Sequence, residues 1–156
     1  MEKLFKTAHG IINSPVFMPV GTLGSVKAIF PHDLVKLKIE IVLANTYHLM
    51  LRPGEKLIKK IGGLQKFMNW EKPILTDSGG FQIWSLSKLR EVNEKGINFL
   101  SHIDGKKHQL SPENAITIQK KLNSTISMVL DECTEHPASY KRTKESMELT
   151  IRWAER

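Results

Sequence analysis

The sequence predicts an α/β fold built on a parallel sheet and interrupted by an antiparallel meander, and three observations predict it. Three apolar runs share one pattern: Ile39 to Ala44 closes on Asn45-Thr46, Pro73 to Thr76 on Asp77-Ser78, and Ile126 to Leu130 on Asp131-Glu132. Apolar runs without strict alternation are the mark of strands covered on both faces. Helical patterns follow these runs or lie between them. The gap from Asp77 to Asp131 is longer than that from Asn45 to Asp77 because it holds an alternating segment with turn signals. The strand-helix repeat leaves two architectures open, a (β/α) barrel and a doubly wound sheet.

Taken in order, Leu4 to Ala8 and Ile11 to Val20 read as short edge strands around a turn at His9-Gly10, since Pro15 and Pro19 suit edges better than a sheet interior. Pro31 is well placed at a first helical position, which predicts a short helix over Asp33 to Lys38. Further helices are expected over Pro53 to Ile61, over Phe81 to Leu86, and from Ser111-Pro112 to Leu122, where Ser111 is a good N-cap. Lys88 to Leu110 reads as the meander, with turns at Asn93 to Gly96 and at Asp104-Gly105 and alternation around Ile97, Phe99 and Ile103. The last helix, Tyr140 to Arg156, places Met147, Ile151 and Ala154 on one face and charges on the other.

Composition narrows the class without naming a function. The 156 residues are 40% hydrophobic, enough for one domain with a core, and no linker, repeat or low-complexity tract divides them, so residues 1–156 read as a single unit. The longest apolar runs fall far short of the roughly 20 residues that span a bilayer, and Met1 to Lys6 show no secretory pattern, so a cytoplasmic protein is expected. One cysteine, Cys133, excludes a disulfide framework or a metal site of several thiolates within these residues. The net charge of +7 suits a polyanionic partner, and it equally suits solvated lysine-rich faces.

In both α/β architectures ligands bind at the carboxyl ends of the parallel strands, where loops vary above a rigid sheet. Asn45, Asp77 and Asp131 stand at such ends, although an acidic residue after a strand also serves as a helix cap or turn former. In Asp77-Ser78-Gly79-Gly80-Phe81 two glycines let a planar ligand or a phosphate approach the backbone, and Phe81 offers an aromatic face. A tight turn explains the same glycines with no ligand.

Four segments carry a resemblance: Ser14 to Thr22 (SPVFMPVGT), Asn45 to Gly54 (NTYHLMLRPG), Leu75 to Gln82 (LTDSGGFQ) and Leu130 to Cys133 (LDEC). In this order they resemble the queuine tRNA-ribosyltransferase (tRNA-guanine transglycosylase) family, in its bacterial form, over essentially the whole chain. The resemblance implies a partial (β/α)8 TIM barrel with an N-terminal antiparallel sheet and the inserted β-meander. It implies exchange of the wobble guanine of tRNAs with a GUN anticodon for a 7-deazaguanine base, 7-aminomethyl-7-deazaguanine or queuine, by double displacement. Asp77 is similar to the family's acid/base aspartate. Ser78, Gly79, Gly80 and Phe81 match the loop lining the base pocket, and Asp131 matches the aspartate that receives guanine. The implied partners are tRNA, guanine and 7-deazaguanine bases, with no membrane; the family is commonly dimeric.

Guanine presents a ring N–H beside an exocyclic NH₂, and one carboxylate satisfies both while rejecting adenine. Exchange without net hydrolysis suits a carboxylate that holds the ribose while bases trade places, with a second carboxyl managing the proton. In relatives the nucleophilic aspartate and a zinc site of three cysteines and a histidine lie downstream, so no cofactor and no metal are expected here. A barrel needs about 250 residues, and Arg156 falls in a helical pattern with no stop signal. The expectation is a chain inactive alone; the alternative is a non-catalytic fragment or degenerate product with at most tRNA binding. From the residues alone, a two-carboxylate glycoside hydrolase also remains.

Overall fold

The computed structural model describes residues 3–87 and 89–156. The chain opens with a hairpin of β1 (Lys3–Thr7) and β2 (Gly10–Ser14), antiparallel with Thr7 opposite Gly10. Gly10 turns the chain at φ 132°, a value that L side chains rarely adopt. Next come β3 (Val20–Gly21), α1 (Pro31–Lys36), β4 (Val42–Ala44), α2 (Thr46–Leu51), α3 (Glu55–Lys60), α4 (Leu64–Met68), β5 (Ile74–Thr76) and α5 (Gly80–Leu86). The meander follows as β6 (Arg90–Asn93), β7 (Gly96–Leu100) and β8 (Lys107–Leu110), then α6 (Pro112–Leu122), β9 (Ile126–Ser127) and α7 (Tyr140–Glu155).

The fold is mixed α/β with a parallel sheet and two antiparallel ones. Strands β3, β4, β5 and β9 run parallel and lie side by side in chain order. The order never reverses among them, so they contain no switch point of the doubly wound kind. The meander pairs β6 with β7 and β7 with β8, as its alternation predicts. Its first predicted residue, Lys88, lies outside the described residues, and Ile103 falls in a turn instead of a strand.

Two apolar clusters hold the molecule. Leu34, Val42, Leu49, Ile58, Leu64, Trp70, Ile74 and Leu122 pack between the parallel sheet and its helices. Tyr47, Ile83, Ile97, Phe99, Leu110, Ala115, Leu130 and Trp153 pack beneath the meander. Ile118 on α6 touches both, which couples meander to sheet. Helix α6 begins where its sequence says, because Ser111 Oγ accepts from Asn114 N at 3.2 Å and Pro112 sits at the first turn.

Three expectations need correction. The run Ile39 to Ala44 pairs only from Val42, because Ile39 N still closes the end of α1 on Leu34 O at 3.0 Å and the Glu40 carboxylate takes Asn13 N and Nδ2 at 2.7 and 2.8 Å. The run Ile126 to Leu130 is strand only to Ser127: Met128 N still reaches Thr76 O at 3.2 Å but is shared with buried Gln119, which accepts from it at 3.0 Å and donates to Met128 O at 2.8 Å, so a side chain takes the carbonyl that would extend the ladder. On α7, Met147, Ile151 and Ala154 are exposed, and Ser146 and Trp153 are the buried residues. The inward face is fixed by hydrogen bonds, Ser146 Oγ to Glu132 O at 3.0 Å and Trp153 Nε1 to Glu94 O at 3.0 Å. Hydropathy periodicity cannot register such a face. The motif segment at Thr46 to Leu51 and the stretch at Leu64 to Met68 form helices that periodicity alone does not predict.

Candidate functional site

The parallel strands aim their carboxyl ends at one region, and the chain leaves β4, β5 and β9 there through Asn45, Asp77 and Asp131. Asp77 follows β5 directly, and its N–H continues the ladder to Ala44 O at 3.2 Å. Its carboxylate is clasped by the neighbouring strand end: Asn45 Nδ2 donates to Oδ2, Thr46 N donates to Oδ1 at 3.0 Å, and Thr46 Oγ1 donates to the Asp77 carbonyl at 2.6 Å. One turn into α5, Gln82 Nε2 adds a donor to Oδ2 at 3.0 Å. Burial pushes the Asp77 carboxyl above its ordinary range, and the donors on Asn45, Thr46, Gln82 and Gly79 offset part of that rise.

The next residue ties β5 to β9. Ser78 is buried, its Oγ donates to Asp131 Oδ1 at 2.7 Å, and the same oxygen accepts from Gly80 N at 3.1 Å. Gly79 adopts φ 89°, in the left-handed region that favours glycine. Gly80 is required for a different reason: a Cβ there would lie 2.5 Å from Asp131 O and 2.7 Å from Asp131 Oδ1. The space freed by this glycine is thus occupied by Asp131 in the loop after β9, whereas the sequence suggested an approach path for a ligand. Phe81 stands outside the clasp, 54% exposed, its ring 5.7 Å from that of Trp84.

Beside Asp77 lies an aromatic and imidazole cluster. Tyr47 is fully buried, its hydroxyl is 2.7 Å from His102 Nδ1, and the two rings stack at 5.4 Å. His48 packs edge-on to both. Burial and the neighbouring His102 hold the His48 imidazole below its ordinary range, against the pull of Asp77. Cys133, partly buried, has its thiol raised by burial and by Asp131, with Arg90 acting the other way.

A desolvated carboxylate on fixed donors, followed in the chain by a serine whose hydroxyl holds a second carboxylate in the loop after β9, is equipped for proton transfer and for recognising paired N–H donors. The chain matches the family described as Queuine tRNA-ribosyltransferase over residues 3–156. It belongs to that family.

Relatives in the queuine tRNA-ribosyltransferase family carry the same name. The protein from Lawsonia intracellularis is 63% identical over 150 residues, which is 96% of this chain and 40% of that protein. Those from a Thermoanaerobacter species and from Rickettsia felis are 58% and 57% identical, covering 98% and 96% of this chain and 41% and 42% of theirs. The chain thus spans about two fifths of the length of these curated relatives.

Among the candidates, Asp77, Ser78, Gly79, Gly80 and Asp131 come together in one hydrogen-bonded unit, and Phe81 flanks it. Thr46 and Gln82 were not legible as contacts of Asp77. The signals were present, since Thr46 adjoins a strand-end asparagine and Gln82 stands one turn into the helix opened by the glycines. Among the described residues no three His, Cys, Asp or Glu side chains are grouped so as to hold a metal ion. Among the described residues no helix is long and apolar enough to cross a membrane.

Proposed function

We propose that this chain supplies the base-binding and proton-transfer part of a tRNA-guanine transglycosylase, its four parallel strands being the first of a (β/α)8 barrel. The observation that carries this reading is that Asp131, in the loop beyond β9, is fixed by the hydroxyl of Ser78, the residue next to Asp77 at the end of β5. The in-order strand arrangement supports the barrel, because a barrel adds each strand beside the last.

Asp131 receives the guanine N1–H and 2-NH₂. A carboxylate offers about four lone-pair sites, so the Ser78 bond leaves room for both donors while fixing the carboxylate's orientation. Asp77 manages the proton of the departing and arriving bases; its burial keeps the acid form within reach, and the Asn45, Thr46 and Gln82 donors hold the ionised form in place. The ribose is held covalently, between the two displacements, by a carboxylate outside this stretch, and the family's zinc also binds outside it. Phe81 offers a face to a base that has left its stack. Cytoplasmic tRNA is the substrate, and the apolar side chains exposed around α1, Leu23, Phe30, Val35 and Leu37, suit a dimer contact.

The test is guanine binding by this chain and labelled-guanine exchange into tRNA by a chimera in which the chain replaces the matching stretch of a full-length relative. Asp131→Ala is expected to weaken guanine at least about tenfold, the scale of a lost charge-assisted hydrogen bond. Unchanged guanine affinity would refute the assignment. Incorporation of guanine by this chain alone would refute the placement of the nucleophile elsewhere.

A further inference from the structure

The loop that carries Asp131 is gripped from its far side by α7. Three polar residues of that helix, Arg142, Ser146 and Thr150, stand four residues apart and so share one face. All three take hold of Glu132, the residue after Asp131. The Glu132 side chain is 7% exposed, and its carboxylate accepts from Arg142 Nη1 at 3.1 Å and from Arg142 Nη2. The Glu132 carbonyl accepts from Ser146 Oγ at 3.0 Å, and the Glu132 N–H donates to Thr150 Oγ1 at 3.0 Å. Ser146 Oγ also accepts from Thr134 Oγ1 at 2.7 Å, and Arg142 Nε lies 3.6 Å from Glu135 Oε1. This accounts for a helix whose buried face is largely polar: one that only covered a core would turn Met147 and Ile151 inward, and both are exposed.

The bond to Thr150 matters most, because the Glu132 N–H belongs to the peptide unit that also carries the Asp131 carbonyl. In a trans peptide these two groups point in opposite directions. The N–H meets α7, and the carbonyl faces Gly80, where a Cβ would lie 2.5 Å from it. The Asp131–Glu132 peptide plane is therefore held between the first residue of α5 and the middle of α7. The Cα of Asp131 bounds that plane, so fixing the plane limits the directions its carboxylate can take, and Ser78 Oγ meets that carboxylate at 2.7 Å.

We propose that the Arg142, Ser146 and Thr150 face of α7 is a positioning element for base selection: through Glu132 it sets the direction in which Asp131 presents its carboxylate to the paired N–H donors of guanine. This role rests on the proposed assignment of guanine to Asp131. The three residues act through Glu132 and are not themselves base contacts. A carboxylate free to turn still accepts one donor, whereas accepting two adjacent donors at once demands a fixed orientation. The signature of the role is a loss of the second donor's contribution while the first is kept.

Hypoxanthine is the probe, since it keeps the ring N–H of guanine and lacks the 2-NH₂. Binding of each base to the chain is measured by calorimetry, with a urea melt of every variant. The unsubstituted chain is expected to prefer guanine at least about tenfold, the scale of one charge-assisted hydrogen bond, and Asp131→Ala to abolish the preference. Thr150→Val removes the acceptor of the Glu132 N–H and is expected to reduce the preference roughly threefold or more, by weakening guanine while hypoxanthine stays near its unsubstituted affinity. Thr150→Ser keeps that acceptor and keeps the preference. Removing Arg142 alone would strand a buried carboxylate, so the pair is replaced together. Glu132→Leu with Arg142→Met is expected to melt near the unsubstituted urea midpoint and still to lose most of the preference. Full preference for guanine in both the folded Thr150→Val protein and the folded Glu132→Leu, Arg142→Met protein overturns the positioning role; loss of the preference in Asp131→Ala then leaves the base assignment standing. Proportional weakening of the two bases in these variants also overturns the role, because that is the mark of a loosened fold. No preference in the unsubstituted chain overturns both readings.

Discussion

The two ends of the parallel sheet are both polar, and they use polarity differently. At the amino end the β1-β2 hairpin closes over the sheet: His9 Nδ1 is 2.7 Å from Thr125 Oγ1, His9 Nε2 is 3.3 Å from Asn123 Nδ2, and Asn123 Nδ2 donates to Gln65 Oε1 at 3.0 Å. Thr125 Oγ1 also accepts from Ile74 N at 3.0 Å, where β5 begins. Amides, a hydroxyl and an imidazole satisfy one another there, and the result is closure. At the carboxyl end a carboxylate is withdrawn from water, four side-chain and backbone donors compensate only partly, and Gln82 keeps an acceptor without a partner. Satisfied networks stabilise, whereas partly desolvated charge remains available for chemistry. This is the division expected of strand ends in barrel-type folds, with stability at the amino face and activity at the carboxyl face.

The largest test of that contrast is Asp77→Asn. In the chimera it is expected to lower exchange by about 10²- to 10⁴-fold, the scale of general acid–base catalysis. Binding of tRNA stays near the unsubstituted value because phosphate contacts dominate affinity. Equal loss of both, measured by labelled exchange and by filter binding, would mark Asp77 as structural and erase the difference between the ends.

Gly80→Ala should act on both stability and recognition. Its Cβ would fall within 2.7 Å of two Asp131 oxygens, one of them backbone, so the loop after β9 must move. A loss of about 1–3 kcal/mol is expected from overpacking, together with weaker guanine binding, read by urea denaturation and calorimetry. Full guanine affinity in a folded Gly80→Ala protein would show that Asp131 need not sit against the glycine turn.

Thr125→Val probes the opposite end. It removes the acceptor of Ile74 N and the partner of His9, and it should cost about 1–2 kcal/mol while leaving guanine affinity intact. A change in guanine binding would mean that the amino end is coupled to the site.

The smallest effect is a pH dependence. The Asp77 carboxyl is raised above 3.8 in the folded chain, so the folded state binds its proton more tightly than the unfolded one. Its contribution to stability is therefore fully present below 3.8 and is lost as pH rises through the raised folded value. Urea melts across that interval should show stability falling with pH from this group, and Asp77→Asn should remove that component. An identical slope in both proteins would contradict the desolvation of Asp77.

Particular residues show how much was legible. The strand-end positions of Asn45 and Asp77, the span of α6 and the antiparallel meander follow from apolar runs, an N-cap serine and turn residues, all local signals, whereas Asp131 lies four residues past the end of β9. The α7 face failed for the converse reason: Ser146 is buried because it bonds Glu132 O and Thr134 Oγ1, partners 14 and 12 residues away, while Met147 and Ile151 point outward. Gly80 was legible as a special position but not for its cause, since the atoms it avoids belong to Asp131, in the loop after β9 and 51 residues further along the chain.

The sequence by itself determined the strand-helix alternation, the polar residues that end each strand and the family motifs, because these depend on hydropathy and local backbone preference within a few residues. Only the tertiary structure decided that Thr46 and Gln82 hold Asp77, that the Ser78 hydroxyl holds Asp131, and that the hairpin closes the far end through His9. Those links bring together groups 31 to 116 residues apart, apart from the helical turn between Asp77 and Gln82. Contacts across such separations follow from how the sheet orders its strands, which no local pattern encodes.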